Sequence, residues 1–320
     1  MTAIPTSSLA SDEPLRTPWS LARTRFLRNY LAILGAIIIL LLLLACSATL
    51  PWSLREASNQ QELKHVLEAP TASFPFGTDH LGQNLLARFL LGGAISLAIG
   101  LSSALIAVFI GTTIGLISGY VGGRLDAFLM RLVDVLYGLP YILLVILMRV
   151  ALVPWVTGFL ERVHPGSAGT WGGQTANVLV LLAGIGCVSW LTMARVVRGQ
   201  VLSLREQPFV EAARALGFTN ARILLQHILP NLVGPILVYA TLTVPQAILS
   251  ESFLSFLGLG IQAPLPSWGN LAAEGTDALN PIHIRWWLIT WPCLGLSVAL
   301  LALNFLGDGL RDALDPKSIR

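Results

Sequence analysis

EAARALGFTNARILLQHILP, residues 211–230, is charged and helix-prone, with one glycine at 217 and one proline at 230. It stands in a chain of 320 residues of which 54% are hydrophobic and only 12% charged, whereas a soluble domain carries about 25% charged residues. Charge-poor segments recur at about 30–50, 92–119, 132–154, 175–194, 232–260 and 285–306. Each is long enough for a bilayer core, which takes roughly 20 helical residues to cross. Six such runs exceed what one soluble core takes, and their continuity excludes a β-barrel, whose strands alternate in segments of about 10 residues. The sequence therefore predicts an all-α polytopic membrane protein with six transmembrane helices. Residues 211–230 are the ordered exception between its fourth and fifth spans. A division of 232–260 into two pieces, or a partly re-entrant path, is the alternative count.

Basic residues orient the spans, because short cytoplasmic loops are enriched in Lys and Arg. Arg16, Arg23, Arg25 and Arg28 precede span 1, and Arg124 and Arg131 flank the connection between spans 2 and 3. Arg195, Arg198, Arg205, Arg214 and Arg222 lie between spans 4 and 5, and Arg311, Lys317 and Arg320 follow span 6. These fourteen are set against five on the other side, Arg55, Lys64, Arg88, Arg162 and Arg285. Both termini and residues 211–230 are thereby expected in the cytoplasm. Arg149 is expected near the outer end of span 3, within snorkelling reach of water. The division that follows is a cytoplasmic segment 1–29, a first helix 30–50, an extracytoplasmic segment 51–91, a five-helix core 92–306 with its loop at 198–231, and a cytoplasmic tail 307–320.

Several chemistries find no support. The net charge of +3 reads as topology, with no nucleic-acid partner. Cys46, Cys187 and Cys293 match no zinc or redox spacing, and the five histidines form no ligand motif, so no metal or catalytic site is expected. Leu43-Leu44-Ala45-Cys46 resembles a lipidation box, but the 29 residues before span 1 and the five spans after it favour a retained helix. No G-x-x-x-x-G-K-[ST] loop is present to cradle ATP.

Other residues invite structural roles. Gly111, Gly115 and Gly119 place three bare patches on one helical face, where another helix can approach closely. Arg131 and Asp134 are close enough at i,i+3 to pair, and Pro140 beyond them predicts a kink or break. Glu251, between Ser250 and Ser252, is a carboxylate deep in an apolar run, and must be partnered, protonated or turned to water or protein. A structural role and a pathway-lining role are both open to it. Gly258, Gly260, Pro264 and Pro266 end the helix beyond.

Within 211–230 itself, Pro208 suits the first turn of a helix and Glu211 complements that helix's dipole. Ala212, Ala213, Ala215 and Leu216 give a small, smooth surface, Gly217 permits a turn, and Thr219 or Asn220 caps a second helix carrying Ile223, Leu224, His227 and Ile228 on one side. Pro230 is expected to limit continuation of that helix into span 5. Two short helices at a sharp bend read as a docking element.

The spacing resembles the EAA motif of ABC importer permeases: Glu211, Ala212, Ala213, Gly217, Leu229 and Pro230 match, and His227 takes the place of an isoleucine, as in the H-I-L-P-N form of the peptide branch. FGTDHLGQNLLARFLLG at 76–92, LSFLGLGIQAPLPSWGNL at 254–271 and NFLGDGLRDALDP at 304–316 resemble further segments of the C-type permease subunit of dipeptide, oligopeptide and nickel importers. The likeness spans about 15–316. It implies a type I ABC importer permease fold in a bacterial inner membrane, and inward transport of peptides. It also implies a related B-type permease, an extracytoplasmic solute-binding protein, and two ATPase subunits that bind ATP and Mg2+, this chain holding no cofactor and no catalytic residue. Glu211, Ala212, Ala213, Gly217, His227, Leu229 and Pro230 would couple to the ATPases, with Arg131, Asp134 and Glu251 structural or along the pathway. Glutathione-like compounds and nickel chelates are alternative cargo, and an ion-coupled transporter using Glu251 is the alternative mechanism.

Overall fold

In the computed structural model, residues 18–59, 63–163, 170–279 and 284–314 are described. Arg16, His164, His283, Lys317 and Arg320, and the ends of the expected terminal segments, lie outside them. The helices are α1 (Pro18–Phe26), α2 (Tyr30–Ala48), α3 (Leu50–Asn59), α4 (Leu85–Val121), α5 (Gly123–Tyr137), α6 (Tyr141–Val163) and α7 (Thr170–Leu204). They continue with α8 (Pro208–Ala215), α9 (Asn220–Ile223), α10 (Leu229–Phe256), α11 (Trp268–Asp277) and α12 (Trp286–Leu314). The fold of the described residues is all-α. Six helices are long and apolar enough to cross a membrane: α2, α4, α6, α7, α10 with the turns before it, and α12.

Local chemistry fixes several boundaries. Asn29 and Asn84 cap α2 and α4 by accepting from the Ala32 and Leu86 amides at 3.2 and 3.0 Å, which satisfies donors that a first helical turn leaves open. From that cap α4 runs 37 residues, about 55 Å, and extends beyond the span read from hydropathy. Span 3 is displaced relative to 132–154. Pro140 lacks an amide hydrogen and disfavours helical geometry at Leu139, so α5 stops at Tyr137 and a separate α6 starts at Tyr141. The break moves Arg149 inward, about 12 Å from the first residue of α6 and about 21 Å from its last. Arg149 is thus near the middle of the helix, contrary to the expected snorkelling position, and it has no ion pair among the described residues.

Helix α4 packs most extensively on α7, through the glycine face. A Cβ on Gly111 would meet Met193 Cβ at 2.6 Å, on Gly115 the Ala194 carbonyl oxygen at 2.7 Å, and on Gly119 Val201 Cβ at 2.8 Å. Only hydrogen fits there, so the predicted close approach is made within this chain. Helix α10 is one continuous helix that contains Pro235 and Pro245, and it packs on α4, α7 and α12. Beyond Gly258, whose φ is +74°, the chain folds back into α11, a helix that the six spans read from hydropathy do not include. Ser267 and Asn270 form a capping box at its start, and fully buried Trp268 fixes it by donating from Nε1 to the Phe89 carbonyl at 3.1 Å.

Candidate functional site

Between α7 and α10 the chain makes a hinged pair of short helices. Gln207 is extended and Pro208 opens α8, where a missing amide hydrogen costs nothing. Three bonds close that helix: the Leu216, Gly217 and Phe218 amides donate to the Ala212, Arg214 and Ala213 carbonyls at 3.0, 2.9 and 3.1 Å. The last two make a Schellman motif, whose left-handed residue is Gly217 at φ +79°. Thr219 occupies the cap position of α9 without a side-chain cap bond, whereas the Asn220 side chain accepts from the Tyr120 hydroxyl at 2.9 Å and ties α9 to the end of α4.

The expected stop at Pro230 does not occur. Residues Leu224–Ile228 form a π-turn in which the Leu229 amide donates to the Leu224 carbonyl, and α9 passes through it into α10. The wider turn carries the chain past the donor that Pro230 lacks, and Asn231 Nδ2 donates to the His227 carbonyl at 2.6 Å. His227 stacks on Phe218, with ring centroids 5.6 Å and planes 16° apart, and the Arg222 guanidinium carbon lies 4.3 Å from the Phe218 ring centroid.

The residues singled out from the sequence divide into two sets. Ala213 is buried, with Val210, Ile223, Ile228 and Leu232, against Leu116 of α4 and Val197 and Val201 of α7. His227 and Leu229 are half-buried beside them. Glu211, Ala212, Gly217 and Pro230 are exposed, next to Leu216 at 74% exposure and Phe209 at 39%. One face is anchored to the ends of two spanning helices, and the other presents an acid beside small and apolar side chains.

Arginines of α7 brace this region. Arg198 grips Asp126 of α5 through Nε and Nη2, both at 2.6 Å, and Arg205 donates to the Gly119 carbonyl at 3.0 Å. The Arg198 hydrogen bonds, aided by the Ser118 hydroxyl, hold the Asp126 carboxyl below its ordinary value against a smaller opposing effect of burial. The stabilisation is present above the ordinary carboxylate range and is lost as pH falls through the depressed value. Asp134 takes its bond from Arg195 Nη2 at 2.7 Å, so the expected Arg131–Asp134 pair is replaced by a contact between α5 and α7. Arg131 is exposed and has no ion pair among the described residues. Sequence reading named Arg198 and Asn220 for other reasons and missed their partners Asp126 and Tyr120, because residues 72 and 100 positions apart leave no local signal.

Glu251 sits apart, toward the other end of α10, and is fully buried. Ser255 donates to its Oε1 at 2.7 Å and itself accepts from the Ile261 amide at 2.9 Å, joining α10 to the segment before α11. Nearby, Arg88 is 3% exposed and binds both oxygens of Glu274 at 2.6 and 2.8 Å as well as Asp79. Asp79, His80 and Glu274 offer ligand atoms within 4.8 Å of one another, but the cation joining the carboxylates is this guanidinium.

Six spanning helices with a braced helix pair between the fourth and fifth define a polytopic membrane permease. The chain belongs to the binding-protein-dependent transport system inner membrane components, whose family model matches residues 111–320; residues 17–70 match the N-terminal TM domain of oligopeptide transport permease C. It is 44% identical over 304 residues to the oligopeptide transport system permease protein OppC of Escherichia coli (strain K12), covering 94% of this chain and 92% of that one. It is 42% identical over 293 residues to the dipeptide transport system permease protein DppC of Bacillus subtilis (strain 168), covering 92% and 84%. A solved structure of the MetNI methionine ABC transporter, in inward-facing conformations, shares the fold with a TM-score of 0.51 at 19% identity, over 72% of this chain and 98% of that one.

Proposed function

We propose that this chain is the C-type permease of a peptide importer, and that residues 208–231 receive the movement of partner ATPases. The observation that carries the second part is the two-sided helix pair: Val210, Ala213, Ile223 and Ile228 anchor it to α4 and α7, while Glu211, Ala212 and Leu216 remain exposed. Likeness to oligopeptide and dipeptide permeases supports peptides as cargo. In this reading the helix pair and both termini are cytoplasmic. A B-type permease completes the pathway, an extracytoplasmic binding protein delivers the substrate, and two ATPases bind ATP and Mg2+. This chain's part is to hold two arrangements of its spans and to shift between them when the ATPases close. Glu211, Ala212, Ala213, Gly217, His227, Leu229 and Pro230 form the coupling element. Asp134 and Glu251 act structurally, Asp134 through Arg195 and Glu251 through Ser255.

Reconstituting the chain with its cognate subunits in proteoliposomes tests this reading. Labelled di- and oligopeptides should accumulate only with ATP, Mg2+ and the binding protein present. Uptake driven by a proton gradient without ATPases would overturn the mechanism, and uptake of a chelated metal with none of peptide would overturn the cargo.

A further inference from the structure

We infer that the crevice between α1, the start of α2 and the end of α12 binds the phosphate headgroup of an anionic phospholipid. A cavity of about 610 Å³ lies there, and Arg28 joins it to a second of about 660 Å³ along α1. Arg25 and Asp312 line the first; Arg23 lines the second. Arg25 and Arg28 thus share the first cavity with one carboxylate, and Arg23 and Arg28 line the second with none. Arg23 and Arg28 have no ion pair among the described residues. The turn that ends α1, in which the Arg28 amide donates to the Arg25 carbonyl and the Asn29 amide to the Phe26 carbonyl, both within 3.1 Å, holds these arginines at the mouth of the crevice. Its floor is the close contact of Gly309 with Ala32, where an added Cβ would lie 2.1 Å from the Ala32 Cβ.

The surroundings favour a lipid over a free anion. Helix α2 has the highest mean hydropathy of the six spans, 3.0, and begins at Tyr30, directly after the arginines. Leu27, Tyr30, Leu31 and Leu34 are 55, 85, 55 and 48% exposed, and form an apolar wall leading away from the cationic mouth. A phospholipid meets both surfaces at once, with its phosphate on the guanidinium groups and an acyl chain along the wall. Basic pockets between spanning helices at the membrane boundary recognise anionic headgroups in this way. A free phosphate would leave the wall uncovered.

The purified full chain in detergent can be mixed with phosphatidylglycerol or phosphatidylcholine of identical acyl chains, and retained lipid counted by native mass spectrometry. Phosphatidylglycerol should be retained preferentially, and the double change Arg25→Gln with Arg28→Gln should reduce that retention about tenfold. Arg28→Lys should keep most of it, and Arg124→Gln, on an exposed residue elsewhere, all of it. Equal retention of the two lipids, an unchanged double variant, or displacement of the lipid by millimolar inorganic phosphate would overturn the inference. Should the double variant fail to fold, salt titration of the wild-type chain decides: retention should fall as ionic strength rises, and salt-independent retention would overturn it.

Discussion

Gly217 and Glu251 show two ways in which one residue fixes a bend. At Gly217 an added Cβ would meet nothing within 4 Å, so the need for glycine comes from φ +79° alone. Gly217→Ala should cost about 1–2 kcal/mol through the left-handed backbone, and the β-branched Gly217→Val more. The spans should still insert. With the ATPases present, uptake per ATP hydrolysed should fall while membrane abundance holds, and unchanged coupling in the valine variant would count against the bend as a coupling element. Glu251 works instead by hydrogen bonding, as the acceptor at the end of the chain from the Ile261 amide through Ser255. Glu251→Gln keeps an acceptor and should preserve transport; Glu251→Leu strands buried hydroxyls and should cost about 1–3 kcal/mol, read as a lower melting temperature. A leucine variant as stable as wild type would remove this role. The glycine was legible in the sequence because turn chemistry is local. The partners of Glu251 were only partly so: Ser252 adjoins it and Ser255 lies one turn on in the same helix, but the Ile261 amide reaches Ser255 only through the fold.

Among elements, the α4–α7 contact rests on bare backbone. Gly115→Leu would press a side chain against the Ala194 carbonyl oxygen and Val197 Cβ, each at 2.7 Å from the added Cβ, and neither can rotate away. Overpacking of this kind costs about 1–3 kcal/mol or more. Gly199→Ala meets nothing within 4 Å and serves as the contrast. Thermal unfolding followed by tryptophan fluorescence should separate the two, and equal stability would show that the helices yield freely. The four-residue glycine spacing announced this contact, although its partner helix did not show in the sequence. The break between α5 and α6 was legible as a kink at Pro140, but hydropathy ran through it and misplaced Arg149. The π-turn was not legible at all: a proline in sequence does not say whether the backbone stops or widens around it.

For the molecule as a whole, composition and span-length apolar runs were enough to give six helices, whereas α11 and the arginine braces depend on contacts between distant segments. Orientation follows from the basic residues and predicts a clean asymmetry. After replacement of Cys46, Cys187 and Cys293, a membrane-impermeant maleimide should label Ser73→Cys in intact spheroplasts and Ala215→Cys only after permeabilisation. The reverse pattern would invert the protein and place the helix pair on the wrong side for ATPases. Helix α10 then joins the two ends of the molecule, with Asn220 at one end of its extended run and Glu251 about 46 Å along it. Pro235 and Pro245 interrupt that run. Each withholds a bond from the carbonyl four residues earlier and permits a bend. Ten residues at 100° each leave their bending planes roughly 80° apart. Two hinge points in different planes let the two ends of this shaft tilt independently, so a displacement at the helix pair need not reach Glu251 in the direction in which it began.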